Sequence, residues 1–286
     1  MKLPVIGILG FGYLGKELAG IENWPTDSWV ACKNDVYQEV SSFGFRSVHF
    51  DWSRKETWDH LPKIPSVLVL TIPPILDEAG AEKNRIQEWC DWMEQNRADL
   101  KKLVYISSTG VYPNRPGCWC EQDQIDPDSS KGGLRLVTEQ RLSESFQAVC
   151  IRSGAIYGRG RNIGERILNK KAIPKGSQRV HRIHVRDLAR IIMLAITSES
   201  FPGIVNAIDR ESETTDKVAN WLVNQSFFPN DKDITITYSN QFQTRKFDLS
   251  EPGRKISNRV LREQCRFEYE FPTYREGLKD SFINYS

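Results

Sequence analysis

The sequence predicts an α/β fold: a doubly wound parallel sheet with a small C-terminal substrate lobe. Three observations carry this prediction. A buried strand runs into a glycine turn and a helix at the start of the chain, strands and helical stretches alternate as far as Ile208, and the pattern changes after Asp209. Val5–Leu9 reads as the first strand, and Gly10, Gly12 and Gly15 then give G-x-G-x-x-G ahead of a helix at Lys16–Ile21. At this spacing the first glycine permits the tight turn and the second lets a pyrophosphate approach the backbone. The third lets the helix pack closely. The phosphate rests on N–H groups at the helix start. Gly10, Gly12, Tyr13, Leu14 and Gly15 are therefore expected cofactor contacts, and the sheet is expected to be Rossmann-type.

Trp24–Asp27 breaks the first helix, and Trp29–Cys32 reads as the second strand. Lys33, Asn34 and Asp35 follow, in the zone where an acid grips the ribose 2′-hydroxyl of NAD and a cation suits the 2′-phosphate of NADP. Lys33 points to NADP; Asp35 keeps NAD open. Arg46–Phe50 is the third strand, ending at Asp51. Ser66–Ile72 is a continuous apolar run, as in a strand covered on both faces, and Pro73-Pro74 ends it. A helix is expected from Glu82 to about Asn96, with Ile86, Trp89, Cys90 and Met93 on one face. Lys102–Ile106 is the fifth strand and leads into Ser107-Ser108-Thr109.

A loop rich in proline, glycine and acids spans Tyr112 to Ser130. A helix at Gly133–Ser145 and a strand at Ala148–Arg152 follow. Asp187 opens a helix with Leu188, Ile191, Ile192, Ala195 and Ile196 on one stripe, and Gly203–Ile208 is a further strand. Ligands of such sheets bind beyond the carboxyl ends of the strands. The glycine turn, Lys33, Asp51, Thr71, Pro73, Ser107, Ser153, Ala155 and Ile156 are thus expected to line one crevice. Beyond Asp209 come a helix at Thr214–Gln225, a strand at Ile234–Tyr238, a basic stretch at Thr244–Lys255, and helices near Asn258–Gln264 and Tyr274–Asn284. The expected domains are a dinucleotide-binding domain over 1–157, rejoined by 179–209, and a small substrate lobe made of 158–178 and 210–286.

Composition narrows the class. The chain has 286 residues, 39% hydrophobic and 27% charged, with a formal net charge of +2. A nucleic-acid binder carries a stronger basic excess. No apolar run is long enough to span a bilayer, and Met1–Pro4 leads straight into the first strand, so no membrane anchor or signal peptide is expected. The six cysteines are scattered and form no disulfide framework, which suits a reducing cytoplasm. Cys118 and Cys120 form the one close pair. C-x-C is not the usual zinc spacing, so no metal is expected.

The strings Ser107–Tyr112, Ile151–Gly160, Arg182–Ala189, Ile256–Leu261 and Phe271–Leu278, with the glycine turn, resemble the extended and atypical short-chain dehydrogenases/reductases, the NAD-dependent epimerase/dehydratase superfamily. The likeness runs over almost the whole chain and is close to bacterial members that begin with G-x-G-x-x-G. It implies an NAD(P)-binding oxidoreductase or epimerase-like protein. A cationic rim of arginines on the crevice would favour an anionic or sugar-nucleotide-like small-molecule substrate, and the resemblance makes a homodimer a possible partner.

Two departures matter. Leu9 stands where G-x-x-G-x-x-G would have its first glycine. The family's acid/base pair, Y-x-x-x-K, is followed four residues later by glutamate. With Glu139 as that residue, the lysine position is Arg135 and the tyrosine position is Lys131. A phenol passes protons near neutrality, whereas arginine stays protonated. Lys131 can act only if burial or a neighbouring cation lowers its pKa.

Arg135 is carried over as a cofactor contact and Ser108 as the hydroxyl that binds the reacting oxygen, with Thr109 the alternative. Tyr157, or less readily Tyr112, is the replacement phenol, against a packing role. His184 and Asp187 read as structural, Asp187 as a helix cap. Arg152, Arg159, Arg161 and Arg179 are candidates for a cationic rim. Loss of the tyrosine also admits a non-catalytic NADP-binding sensor or regulatory protein.

Overall fold

The computed structural model describes residues 3–21, 24–34, 36–80, 82–83, 85–96, 99–174, 179–229, 235–239 and 253–283. Asp35, Ile234 and most of the basic stretch from Thr244 lie outside these residues.

The first half alternates as expected: β1 (Ile6–Leu9), α1 (Tyr13–Gly20), β2 (Trp29–Cys32), α2 (Tyr37–Ser42), β3 (Arg46–His49), β4 (Val67–Leu70), α3 (Ile86–Asn96) and β5 (Lys102–Ser108). There follow β6 (Cys118–Trp119), α4 (Ser130–Phe146), β7 (Val149–Ser153), β8 (Ala155–Tyr157), α5 (Ile163–Leu168), β9 (Ile173–Pro174), β10 (Arg182–His184), α6 (Val185–Thr197) and β11 (Ile204–Ala207). The chain ends with α7 (Thr215–Val223), β12 (Tyr238–Ser239), β13 (Lys255–Ile256), a π-helical turn at Val260–Gln264 and α8 (Tyr274–Ile283).

Seven strands form one parallel sheet in the order β11-β7-β5-β4-β1-β2-β3, flanked by helices. The chain steps outward from β1 to β2 and β3, then returns to the other side of β1 with β4. The strand order therefore reverses between β1 and β4, where such sheets open a binding crevice. β1, β2 and β4 are buried at every residue, as their unbroken apolar runs require. Trp29, Trp52, Trp58 and Trp89 pack in the core of this sheet, with Trp52 edge-on to Trp89 at 5.6 Å. Ile86, Trp89, Cys90 and Met93 of α3 are buried, as is the apolar stripe of α6.

Two compact units divide the chain. The first is Met1–Pro113, Gln124–Arg152 and Leu188–Val205; the second is Asn114–Asp123, Ser153–Asp187 and Asn206–Ser286. The second unit thus includes Asn114–Asp123 and the segment from Ser153. Ladder pairing within that unit gives the reason: β6 pairs with β13, and β8 with β10. Its core is built on Tyr157, Ile173, Leu222, Phe228, Tyr274 and Phe282. Among the described residues no helix is long and apolar enough to cross a membrane.

Candidate functional site

The glycine turn has the geometry its spacing implies. Gly10 adopts a positive φ of 106°, and a Cβ there would stand 2.4 Å from Thr71 Oγ1. A Cβ on Gly15 would stand 2.2 Å from the Gly10 carbonyl oxygen, so only glycine lets α1 start this close to the turn. Gly12 is the N-cap of α1, no side chain caps it, and a Cβ there would meet nothing within 4 Å. The helix therefore begins at Tyr13, three residues before the expected Lys16, beside open space. Thr71 braces the turn: its N–H donates to the Leu9 carbonyl at 2.9 Å and its hydroxyl reaches the Gly10 carbonyl at 3.0 Å. Leu14 is buried, Tyr13 is half-buried and Pro73 is exposed.

A cleft of about 230 Å³ runs from Gly10 and Gly12 to the ends of β2 and β3. Lys33 and Asp51 lie along it, with apolar walls from Phe50, Trp52, Ile72 and Ile75. Lys33 Nζ is 2.9 Å from Asp51 Oδ2. Asp51 Oδ1 accepts the Ser53 N–H at 3.0 Å and the Ser53 hydroxyl at 2.7 Å. Burial works to raise the Asp51 pKa, but the Ser53 bonds and Lys33 outweigh it and hold the carboxyl below its ordinary value. The apolar walls were not singled out from the sequence. Their signal is the strand-end position they share with Asp51 and Thr71.

At the end of β5 the Ser108 hydroxyl accepts the Gly110 N–H at 3.1 Å and so caps the following turn. Ser107 and Thr109 are buried. Arg135 is half-buried on α4, with its guanidinium beside Gly110. Lys131 is exposed in the first turn of α4.

Arg152 is not a rim cation: it is 3% exposed. It donates from Nε and Nη2 to Glu139, at 2.7 Å for the shortest bond, and from Nη1 to the Tyr112 hydroxyl at 2.9 Å. This commits Tyr112 as well. The network ties α4, β7 and the turn after β5 together. Its three members are widely separated in sequence, and no local pattern links them.

The second unit holds the other expected residues. Ser153 is buried, Ile156 half-buried and Ala155 exposed. Tyr157 is 6% exposed; its hydroxyl donates to the Thr273 carbonyl at 3.2 Å, and its ring fills the space beside Gly277. Burial raises its pKa well above the usual phenol range, which is the wrong direction for proton exchange near neutrality.

His184 ends β10, stacks on Phe271 at 3.8 Å and is lowered by burial to about 3. Asp187 lies in the first turn of α6, which starts at Val185. Its carboxylate accepts the N–H groups of Glu270 and Phe271 at 2.9 and 2.8 Å, across to the C-terminal segment. His181 is also buried: its Nε2 accepts the Ile256 N–H at 3.1 Å, and burial together with Arg254, Arg182 and Arg179 lowers it to about 4. Arg159 and Arg161 are exposed, and Arg179 donates to the Ser212 carbonyl at 2.9 Å. Cys118 lies exposed in β6, and among the described residues no cysteine is in a disulfide.

No family model matches the chain. It is 28% identical over 194 residues to the mouse (Mus musculus) protein described as epimerase family protein SDR39U1, covering 62% of this chain and 64% of that one. It is 31% identical over 201 residues to the bovine (Bos taurus) protein of the same description, covering 64% of this chain and 67% of that one. The match therefore spans about two thirds of each relative's length.

Solved structures match over nearly the whole chain. A conserved protein of unknown function from Silicibacter pomeroyi DSS superposes with a TM-score of 0.73 at 20% identity, over 97% of this chain and 98% of that one. MoeE5 in complex with UDP-glucose and NAD gives 0.75 at 17% identity, over 97% of each chain. A UDP-N-acetylglucosamine 4-epimerase from Methanobrevibacter ruminantium M1 in complex with UDP-N-acetylmuramic acid gives 0.74 at 17% identity, over 99% and 98%. At these identities the likeness is one of fold, and it defines a Rossmann-type α/β protein. The sequence relatives narrow this further: the chain belongs to the SDR39U1 epimerase family, an atypical branch of the short-chain dehydrogenase/reductase superfamily.

Proposed function

We propose that this protein binds a nicotinamide dinucleotide, NADP with NAD also accepted, and acts as an oxidoreductase or epimerase-like protein with an altered acid/base set. The observation that carries the reading is the uncapped start of α1 beside Gly12, opening into a cleft that leads to Lys33. A helix start with no side-chain cap, at the positive end of a helix dipole, suits a pyrophosphate. Gly10, Gly12, Tyr13, Leu14 and Gly15 would hold it, Thr71 and Pro73 would border it, and Lys33 and Asp51 would face the adenosine end. Ser107 and Arg135, in the same unit as the glycine turn, are assigned to the nicotinamide end. When bound, the nicotinamide ring supplies hydride transfer. Arg135 can hold ribose hydroxyls but cannot relay a proton. A small anionic or sugar-nucleotide-like substrate is supported by the UDP-sugars of the structural neighbours and by Arg159, Arg161 and Arg179. We place the protein in the cytoplasm, a reducing compartment that suits six cysteines without a disulfide.

A second reading, a dinucleotide-responsive protein without catalysis, is favoured by one set of observations. Lys131 is exposed, the Ser108 hydroxyl caps a turn, and the Tyr157 hydroxyl is committed to Thr273. Calorimetric titration with NADP, NADPH, NAD and NADH tests both readings. Binding of at least one is expected, and no binding by any would overturn both. Hydride exchange into bound NADP⁺ across a panel of anionic metabolites then separates them: exchange supports the enzyme, and its absence throughout supports the sensor.

A further inference from the structure

Lys33 and Asp51 are unequal partners. The Lys33 side chain is 72% exposed, and Asp51 is 6% exposed. Asp51 is fixed by two bonds from Ser53 to Oδ1, which leaves Oδ2 for Lys33. The carboxylate is the anchor, and the ammonium reaches it from the solvent side. As a pair they are electrically neutral. A lone lysine at the end of β2 would meet a 2′-phosphate with its full charge, whereas Lys33 meets it with a counter-charge 2.9 Å away. If Lys33 turned wholly to a phosphate, Asp51 would be left a buried carboxylate without a cation. Such an arrangement is strongly unfavourable. NADP carries this penalty, and NAD does not.

We propose that Asp51 is a positioning residue that sets dinucleotide selectivity: by holding Lys33 at the edge of the cleft and balancing its charge, it keeps the site open to NAD as well as NADP. This rests on the dinucleotide reading of the cleft. It assigns Asp51 a role exerted through Lys33 rather than through a contact common to both nucleotides.

The test measures dissociation constants for NAD and NADP by titration calorimetry, without reference to turnover. The native protein is expected to bind the two within about tenfold of each other. Asp51→Asn keeps the shape and an acceptor for Ser53 but removes the charge. It is expected to raise the ratio Kd(NAD)/Kd(NADP) by about tenfold, the scale of one charge acting in a partly solvated site. Lys33→Gln is expected to lower the same ratio by a similar factor. Both shifts are expected to shrink in 0.5 M salt, as they arise from charge.

An Asp51→Asn protein that weakens both nucleotides equally, or leaves the ratio unchanged, overturns the inference. Should that variant fail to fold, Lys33→Gln decides alone: its side chain is exposed, and an unchanged ratio overturns the inference. A native protein that binds neither nucleotide overturns the dinucleotide reading itself, an outcome distinct from binding with an unaltered ratio.

Discussion

At the start of α1 a Cβ on Gly15 would stand 2.2 Å from the Gly10 carbonyl oxygen; at the start of α4 a Cβ on Gly132 would stand 2.5 Å from the Gly110 carbonyl oxygen. Both helices use a missing side chain to press against a turn that follows a strand. Their first turns then differ. α1 has no side-chain cap and open space beside Gly12, whereas the Ser129 hydroxyl caps α4 by accepting the Gly132 N–H at 3.1 Å. α4 is further anchored by the ion pair of its Glu139 with Arg152 of β7. One helix start carries no side-chain cap; the other is closed by one. In this superfamily the α1 region is expected to bind and the α4 region to handle protons. Here α1 keeps the open form, and the two α4 positions hold Lys131 and Arg135.

If α4 is anchored by charge, Arg152→Ala has the largest effect. It leaves Glu139 buried without its partner and is expected to cost about 3–5 kcal/mol in urea unfolding. A loss below about 1 kcal/mol would mean that packing alone holds α4.

Acid is the next largest perturbation and tests whether the second unit gives way while both helix starts persist. His181 and His184 are lowered by burial to about 4 and about 3, below their unfolded value near 6.5. Their stabilising contribution is therefore complete above about pH 6.5 and is lost as the pH falls toward the folded values. At pH 5 the loss is about 2 kcal/mol per histidine. Hydrogen exchange is expected to rise first around β10; flat stability from pH 7 to 5 would refute this.

Third, Gly15→Ala forces a Cβ against backbone and is expected to destabilise by about 1–3 kcal/mol. Gly12→Ala enters open space and is expected to change stability by less than about 1 kcal/mol while weakening dinucleotide binding at least tenfold. Equal affinity for Gly12→Ala and the native protein would break the contrast between the two helices at its functional end.

The smallest effect is that of Ser129→Ala, which removes the α4 cap. It is expected to cost about 1 kcal/mol in thermal unfolding with dinucleotide affinity unchanged.

Much of the sheet was legible because its strands are continuous apolar runs: Trp29–Cys32 was read to the residue, and Val67–Leu70 lies inside the expected Ser66–Ile72. Helix starts were less legible. α1 begins at Tyr13 because Gly12 takes the cap position, and α4 begins at Ser130 because Ser129 caps it, ahead of the expected Gly133. Short strands such as β6 and β8 went unread, since two or three residues become a strand only through the partner they meet, here β13 and β10. Lys33 and Asp51 were both read as strand-end residues, but their ion pair was not. Arg152 was read as a surface cation because its charge is visible in sequence and its burial is not.

The sequence by itself determined the parallel α/β sheet, the glycine turn at its first crossover, and the replacement of Y-x-x-x-K by Lys131 and Arg135. These follow from local facts: hydrophobic period, missing side chains and residue identity. Only the tertiary structure decided that α1 starts without a side-chain cap and α4 with one, that Asp51 balances Lys33, and that Tyr112, Tyr157 and Arg152 are committed to hydrogen bonds. The reason is that burial and pairing depend on groups brought together from distant positions. A side chain's charge is written at its own place in the chain, but the partner that neutralises it is not.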